Sequence, residues 1–189
     1  APLWSRGLGD VYKRQSLIYI TVTEFLDQKR PSFPVYITIG LTIIFFAFSE
    51  IILRNLVLSF LNIPLTLMCL IYWNMALPKS VGLTWAILCG FILDLSQNLV
   101  LGTNVMIFLV SSYLIQRYFH RLRALYRVQQ SLIVAGMVFT YQLIFIISFL
   151  NFSREILLEL ILFTVISALI WPVIFGLLRF IRIKFTYIN

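Results

Sequence analysis

Long apolar runs separated by short polar turns fill most of the chain. Most of these runs approach the roughly 20 residues that a helix needs to cross the hydrocarbon core of a bilayer. The pattern predicts six membrane-spanning helices, at about residues 35–53, 56–77, 81–94, 101–118, 132–150 and 156–178. A polar connection is expected around Arg54-Asn55. The second run is broken at Asn62-Ile63-Pro64, so we expect Pro64 in the first turn of the true helix, where its missing N–H costs little.

Composition places the chain in the membrane. Hydrophobic residues make up 61% and charged residues 12% of its 189 residues, whereas soluble domains have about 25% charged residues. The net charge of +8 does not predict a nucleic-acid partner, because the basic residues stand at the ends of apolar runs. That placement is typical of contact with anionic lipid head groups. The sequence therefore predicts an all-α integral membrane protein.

The distribution of basic residues predicts the orientation of the helices. With the N-terminus in the cytoplasm, two basic residues fall on the outer side, Arg54 and Arg154. Ten fall on the inner side: Lys29, Arg30, Lys79, Arg117, Arg121, Arg123, Arg127, Arg179, Arg182 and Lys184. Cytoplasmic loops of membrane proteins carry an excess of Lys and Arg. Both termini are therefore expected in the cytoplasm.

The third predicted span carries a small-residue face that ends in an acid. Gly82, Ala86, Gly90 and Asp94 are spaced by four residues, so they share one side of a helix. Small residues let another helix approach closely, and a charged residue inside a membrane segment indicates a functional site. Two roles for Asp94 stay open. It ends the helix by binding the turn at residues 96–98 or Thr103 and Asn104, or it contacts a partner helix.

No other residues form a catalytic, metal or cofactor constellation. Cys69 and Cys89 are expected to be reduced packing residues, and His120 a loop residue near the head groups. Glu50, Glu155 and Glu159 stand toward the outer ends of spans, which disfavours a proton pathway. The most basic segment is expected to be a cytoplasmic loop with Arg117, Arg121, Arg123 and Arg127. It is interpreted as a connector along the lipid surface or as a docking surface for a cytosolic partner.

The N-terminal part differs from the rest. Residues 1–15, APLWSRGLGDVYKRQ, are polar and resemble a translated sequencing adapter. We interpret residues 1–21 as a non-native or uncertain leader, with Val22 as a candidate start. Residues 22–34 are then a cytoplasmic lead-in, 35–185 the membrane domain and 186–189 a cytoplasmic tail.

Several short motifs occur in a fixed order along the chain. They are Tyr72-Trp73 through Pro78, Gly90 through Leu95, Leu101-Gly102, Gln129-Gln130, and Trp171-Pro172 followed by Phe175, Arg179, Arg182 and Phe185. In order and spacing, from about Val35 to Phe185, these motifs resemble the MreD family of rod shape-determining proteins. One departure is Asn98, where many members have glycine.

The resemblance implies a non-enzymatic inner-membrane scaffold of the elongation machinery. Its implied partners are an MreC-like bitopic protein, an MreB-like actin homologue, RodA with its penicillin-binding protein, and a second copy of the chain. The implied fold is similar to the substrate-binding subunit of energy-coupling-factor transporters. Two alternatives stay open: a membrane subunit that binds a vitamin-like substrate, which needs convergent polar groups in an enclosed pocket, and a membrane-embedded enzyme.

Overall fold

The described part of the chain is entirely helical apart from its connections. The structure is a computed structural model that describes residues 33–57, 63–78, 80–97, 101–149 and 153–186. Its helices are α1 Phe33–Val57, α2 Leu65–Ala76, α3 Leu83–Gln97, α4 Thr103–Ala124, α5 Arg127–Phe149 and α6 Arg154–Thr186. The all-α prediction is confirmed over these ranges. The predicted leader and most of the predicted lead-in lie outside the described residues.

The short helix α2 occupies the centre of the bundle. It contacts each of the other five helices, and these close a ring around it in the order α1, α3, α4, α5, α6 and back to α1. All residues of α2 from Thr66 to Met75 are buried. At 1.5 Å per residue its 12 residues measure about 18 Å, well short of the hydrocarbon core of about 30 Å. Both ends of α2 therefore need polar partners inside the protein.

The outer surface of the ring is strongly apolar. Leu41 and Phe45 on α1, and Leu169 and Val173 on α6, are each more than 60% exposed. Water-soluble monomers rarely expose apolar patches above a few hundred Å², so this surface is suited to lipid. Among the described residues, three helices are long and apolar enough to cross a membrane, at Val35–Leu56, Arg127–Ile147 and Arg154–Phe185, while α2 and α3 are shorter apolar helices. The number of crossings and their orientation stay predictions.

Two predicted connections are wrong. The chain does not leave the helix at Arg54-Asn55, because α1 continues to Val57 and the Arg54 guanidinium lies over the ring of Phe145, 5.2 Å from its centroid. The basic segment 117–127 is not a loop either. Helix α4 extends through it to Ala124, and only Leu125 and Tyr126 separate α4 from α5. Arginine, leucine and alanine are all favourable helix residues, so the basic segment continues the helix.

Candidate functional site

Helices α3 and α4 touch along the predicted small-residue face. Ala86, Gly90 and Asp94 are buried. A Cβ atom at Gly90 would lie 2.5 Å from the Cα atom and 2.6 Å from the backbone nitrogen of Val105. The backbone of α4 therefore occupies the space of a side chain, and only glycine fits. Gly82 takes no part, because it precedes α3 and a Cβ there would meet only Thr84, at 3.6 Å or more.

Asp94 binds the beginning of α4. Its Oδ2 accepts a hydrogen bond from the Gly102 N–H and its Oδ1 accepts one from the Asn104 N–H, both at 2.9 Å. Gly102 has a φ of +104°, a conformation that glycine adopts without steric cost. A carboxylate at a helix N-terminus satisfies free N–H groups and the positive end of the helix dipole. These contacts match the structural role considered for Asp94; a partner-binding role for the face stays a prediction.

A second buried carboxylate caps another helix. Glu50 is 3% exposed, and its Oε2 accepts a hydrogen bond of 2.9 Å from the Thr66 N–H, in the first turn of α2. Glu50 was expected near the outer end of a span, but its contact with α2 was not predicted from the sequence. One feature of the sequence could have indicated this contact. A helix was predicted to begin at Pro64, and the N–H groups in the first turn of a helix need an acceptor from elsewhere.

Arg123 binds the opposite end of α2. Its Nε donates to the carbonyl oxygen of Met75 and its Nη2 to that of Ala76. A guanidinium there satisfies free carbonyls and the negative end of the helix dipole. Burial and the nearby Arg182 lower the pKa of Arg123. All four arginines predicted in the basic segment are exposed: Arg117, Arg121, Arg123 and Arg127. Two of them nevertheless contact other parts of the bundle, Arg123 at the end of α2 and Arg127 over the ring of Phe175.

A buried network of amides joins α2 to α4. Asn74 Nδ2 donates to Ser112 Oγ at 3.2 Å, and Gln116 Nε2 donates to Asn74 Oδ1 and to the Val81 carbonyl oxygen, both at 2.7 Å. These neutral groups fix the helices against each other and carry no charge for proton transfer. The sequence patterns did not predict this network.

The aromatic motif residues pack together between α2 and α6. The rings of Tyr72 and Trp73 are 5.5 Å apart, those of Tyr72 and Phe175 are 5.1 Å apart, and those of Trp171 and Phe175 are 6.0 Å apart. Trp73 Nε1 also donates to Thr42 Oγ1 at 2.9 Å. Edge-on aromatic contacts add to the burial of these rings. Three other motif residues lie in turns or on the outer surface: Pro78, Leu101 and Pro172.

The described residues offer no metal-binding cluster. Among them, no three His, Cys, Asp or Glu side chains come together. Cys69 and Cys89 are buried free thiols, and His120 is exposed beside the ring of Phe119. The chemistry of the described core is therefore helix capping and amide hydrogen bonding.

Comparison with known proteins identifies the bundle. The family model for rod shape-determining protein MreD matches residues 30–181, from just before α1 into the last turns of α6. A rod shape-determining protein MreD of Haemophilus influenzae is 35% identical over 116 residues, which are 61% of this chain and 72% of that protein. No solved structure matches the chain. The resemblance in the sequence motifs is thus confirmed, and the chain belongs to the MreD family of rod shape-determining proteins.

Proposed function

We propose that the protein is a non-enzymatic scaffold of the bacterial inner membrane that maintains rod shape. It connects an MreB-like filament and an MreC-like bitopic protein to lateral peptidoglycan synthesis by RodA and its penicillin-binding protein. Six crossings with both termini in the cytoplasm belong to this proposal. The observation that carries it is the family match, which extends over nearly the whole ring of helices and its central α2.

The use of the buried polar groups supports this role. Asp94, Glu50 and Arg123 each bind the backbone at a helix end, and the Asn74 network joins two helices. Such contacts hold the helices in one arrangement, which a scaffold needs in order to present a constant surface to its partners. The apolar outer surface supplies area for lipid and for the membrane helix of a bitopic partner.

The proposed orientation predicts where the end of α4 can be labelled. Ala124 is exposed at the end of this helix, so an Ala124→Cys variant should react with a membrane-impermeant maleimide only after spheroplasts are permeabilised. Glu155, exposed in the first turn of α6, provides the matched control: Glu155→Cys should react in intact spheroplasts. Labelling of Ala124→Cys in intact spheroplasts contradicts the orientation. The native thiols Cys69 and Cys89 are buried, which keeps the background low.

The scaffold role predicts rescue of cell shape. We expect this chain, expressed together with the MreC-like protein of its own source, to restore rods in a rod-shaped bacterium depleted of its own MreD. The two proteins should also purify together in a mild detergent. The measurements are cell length-to-width ratio and recovery of the MreC-like protein on the tagged chain. A chain that enters the membrane at normal levels but neither restores rods nor retains the MreC-like protein contradicts the proposal.

A further inference from the structure

Four arginines converge on one cavity at the end of the bundle where α2 and α4 end and α5 begins. The cavity has a volume of about 380 Å³. We call it the arginine pocket. Its lining residues are Tyr72, Met75, Ala76, Arg123, Arg127, Gln130, Phe175, Arg179 and Arg182.

No carboxylate among the described residues balances these charges. The lining contains no Asp or Glu, and the described acids stand at the other ends of the helices. On α6, for example, Glu155 and Arg179 are about 36 Å apart at 1.5 Å per residue. The guanidinium charges also oppose one another, since Arg179 acts on Arg127 and Arg182 acts on Arg123. An anion in the pocket would relieve this repulsion.

Two buried donors in the pocket lack a hydrogen-bond partner among the described residues: the Tyr72 hydroxyl and Arg182 Nε. Tyr72 is only 1% exposed, and the charges of Arg182, Arg179 and Arg127 all act on it. Buried polar groups in folded proteins nearly always have a partner. These donors therefore point to an acceptor that the described residues do not supply.

The two other arginines of the pocket, Arg123 and Arg127, are ordered by contacts within the protein. Arg123 is fixed by the carbonyl oxygens at the end of α2. Arg127 donates to Gln130 Oε1 at 3.0 Å, and its guanidinium lies 3.6 Å from the centroid of the Phe175 ring. Gln130 in turn donates to the Leu122 carbonyl oxygen at 2.9 Å. Guanidinium groups held in this way suit the oxygens of a phosphate, which accept two parallel hydrogen bonds.

We propose that the arginine pocket binds the phosphate of an anionic phospholipid head group. A lipid is favoured over a free phosphate because exposed apolar side chains flank the arginines on the same helices: Val128 beside Arg127, and Phe180 and Ile183 beside Arg179 and Arg182. Acyl chains can lie along these side chains while the phosphate enters the pocket. Basic pockets between membrane helices are suited to such head groups. This inference depends on the proposed placement in the membrane but not on the identity of the protein partners.

Lipid competition measured by native mass spectrometry tests the proposal. The intact chain, purified in mild detergent, is mixed with phosphatidylglycerol and phosphatidylcholine that carry identical acyl chains. We expect one phosphatidylglycerol per chain with a preference of about tenfold. The Arg179→Gln, Arg182→Gln double variant should lose this preference, and Tyr72→Phe, which removes only the hydroxyl, should lower it a few fold.

An equal change of charge outside the pocket is the matched control. Arg117 and Arg121 are exposed and do not line the pocket, so the Arg117→Gln, Arg121→Gln variant should keep the preference. Equal losses in the two double variants would mean general surface attraction and overturn the proposal. Displacement of the lipid by inorganic phosphate at equal concentration would assign the pocket to a free anion and overturn the lipid assignment. Retention of lipid in an excess of phosphate supports it.

Discussion

Replacing Gly90 by leucine is expected to separate α3 from α4 and to abolish accumulation of the folded protein. A Cβ at this position would lie 2.5 Å from the Cα atom of Val105. The clash is with the backbone of α4, which cannot change rotamer to relieve it as a side chain can. Overpacking that side chains can absorb costs about 1–3 kcal/mol, and we expect a larger loss here. The measurement is the amount of monodisperse protein extracted from membranes and its thermal stability in detergent.

Gly136 provides the matched control for Gly90. It lies in α5, it is exposed, and a Cβ there meets nothing within 4 Å. Gly136→Leu is the same chemical change in a helix and should leave yield and stability near those of the unaltered chain. If both variants are equally stable, the close contact between α3 and Val105 is not required for folding.

Removal of the Asp94 carboxylate has the second large expected effect. An Asp94→Ala variant leaves the N–H groups of Gly102 and Asn104 without their acceptor in a buried position. Hydrogen bonds to charged groups contribute about 1.5–3 kcal/mol each. Loss of two such bonds is therefore a large part of a typical stability of about 5–15 kcal/mol. We expect a marked fall in melting temperature in detergent, and a smaller fall for Asp94→Asn, which keeps one acceptor oxygen.

The same variants separate the two roles considered for Asp94. Glu155→Gln removes a carboxylate charge from an exposed position in the first turn of α6. Because an exposed charge there contributes only about 0.3–1 kcal/mol, this variant should lower the melting temperature much less than Asp94→Ala. Suppose that the Asp94→Ala variant is as stable as the Glu155→Gln variant but does not retain the MreC-like protein. Asp94 then binds a partner and is not required to cap the start of α4. A fall in stability with or without the partner present supports the capping role.

The sequence was sufficient to predict an all-α fold over the described residues. Of the four residues predicted to share one face of the third span, Gly82 lies before α3. Spacing by four residues places Ala86, Gly90 and Asp94 on one side of a helix, and these residues are buried. Spacing does not identify the neighbour, because contact between Gly90 and Val105 depends on how the chain turns between α3 and α4. The order of the five helices around α2 depends on contacts between distant parts of the chain for the same reason.

The helix ends were less predictable, because segments with charged residues were expected to lie outside the helices, in contact with water. Arg54-Asn55 and the segment 117–124 were assigned to connections, yet they are helical. A helix satisfies its own backbone hydrogen bonds wherever it lies, and a charged side chain can bind another helix instead of water. Arg123 does so at the end of α2. Helix α2 begins directly after Pro64, close to its predicted start. The contacts of Glu50 and Arg123 with its ends were not predicted, because these two residues come from other helices.

The enclosure of α2 also bears on how the protein is made. Helix α2 has only 12 residues, and Asn74 is one of them. It is therefore a poor candidate for stable insertion by itself when it leaves the translocon, since an amide without partners is unfavourable in lipid. Its first turn can bind Glu50 from the preceding helix at once. Its last carbonyls receive Arg123 only after the ribosome has completed α4. We therefore expect stable integration of the central helix to be a late step of biosynthesis, completed only when α4 is available.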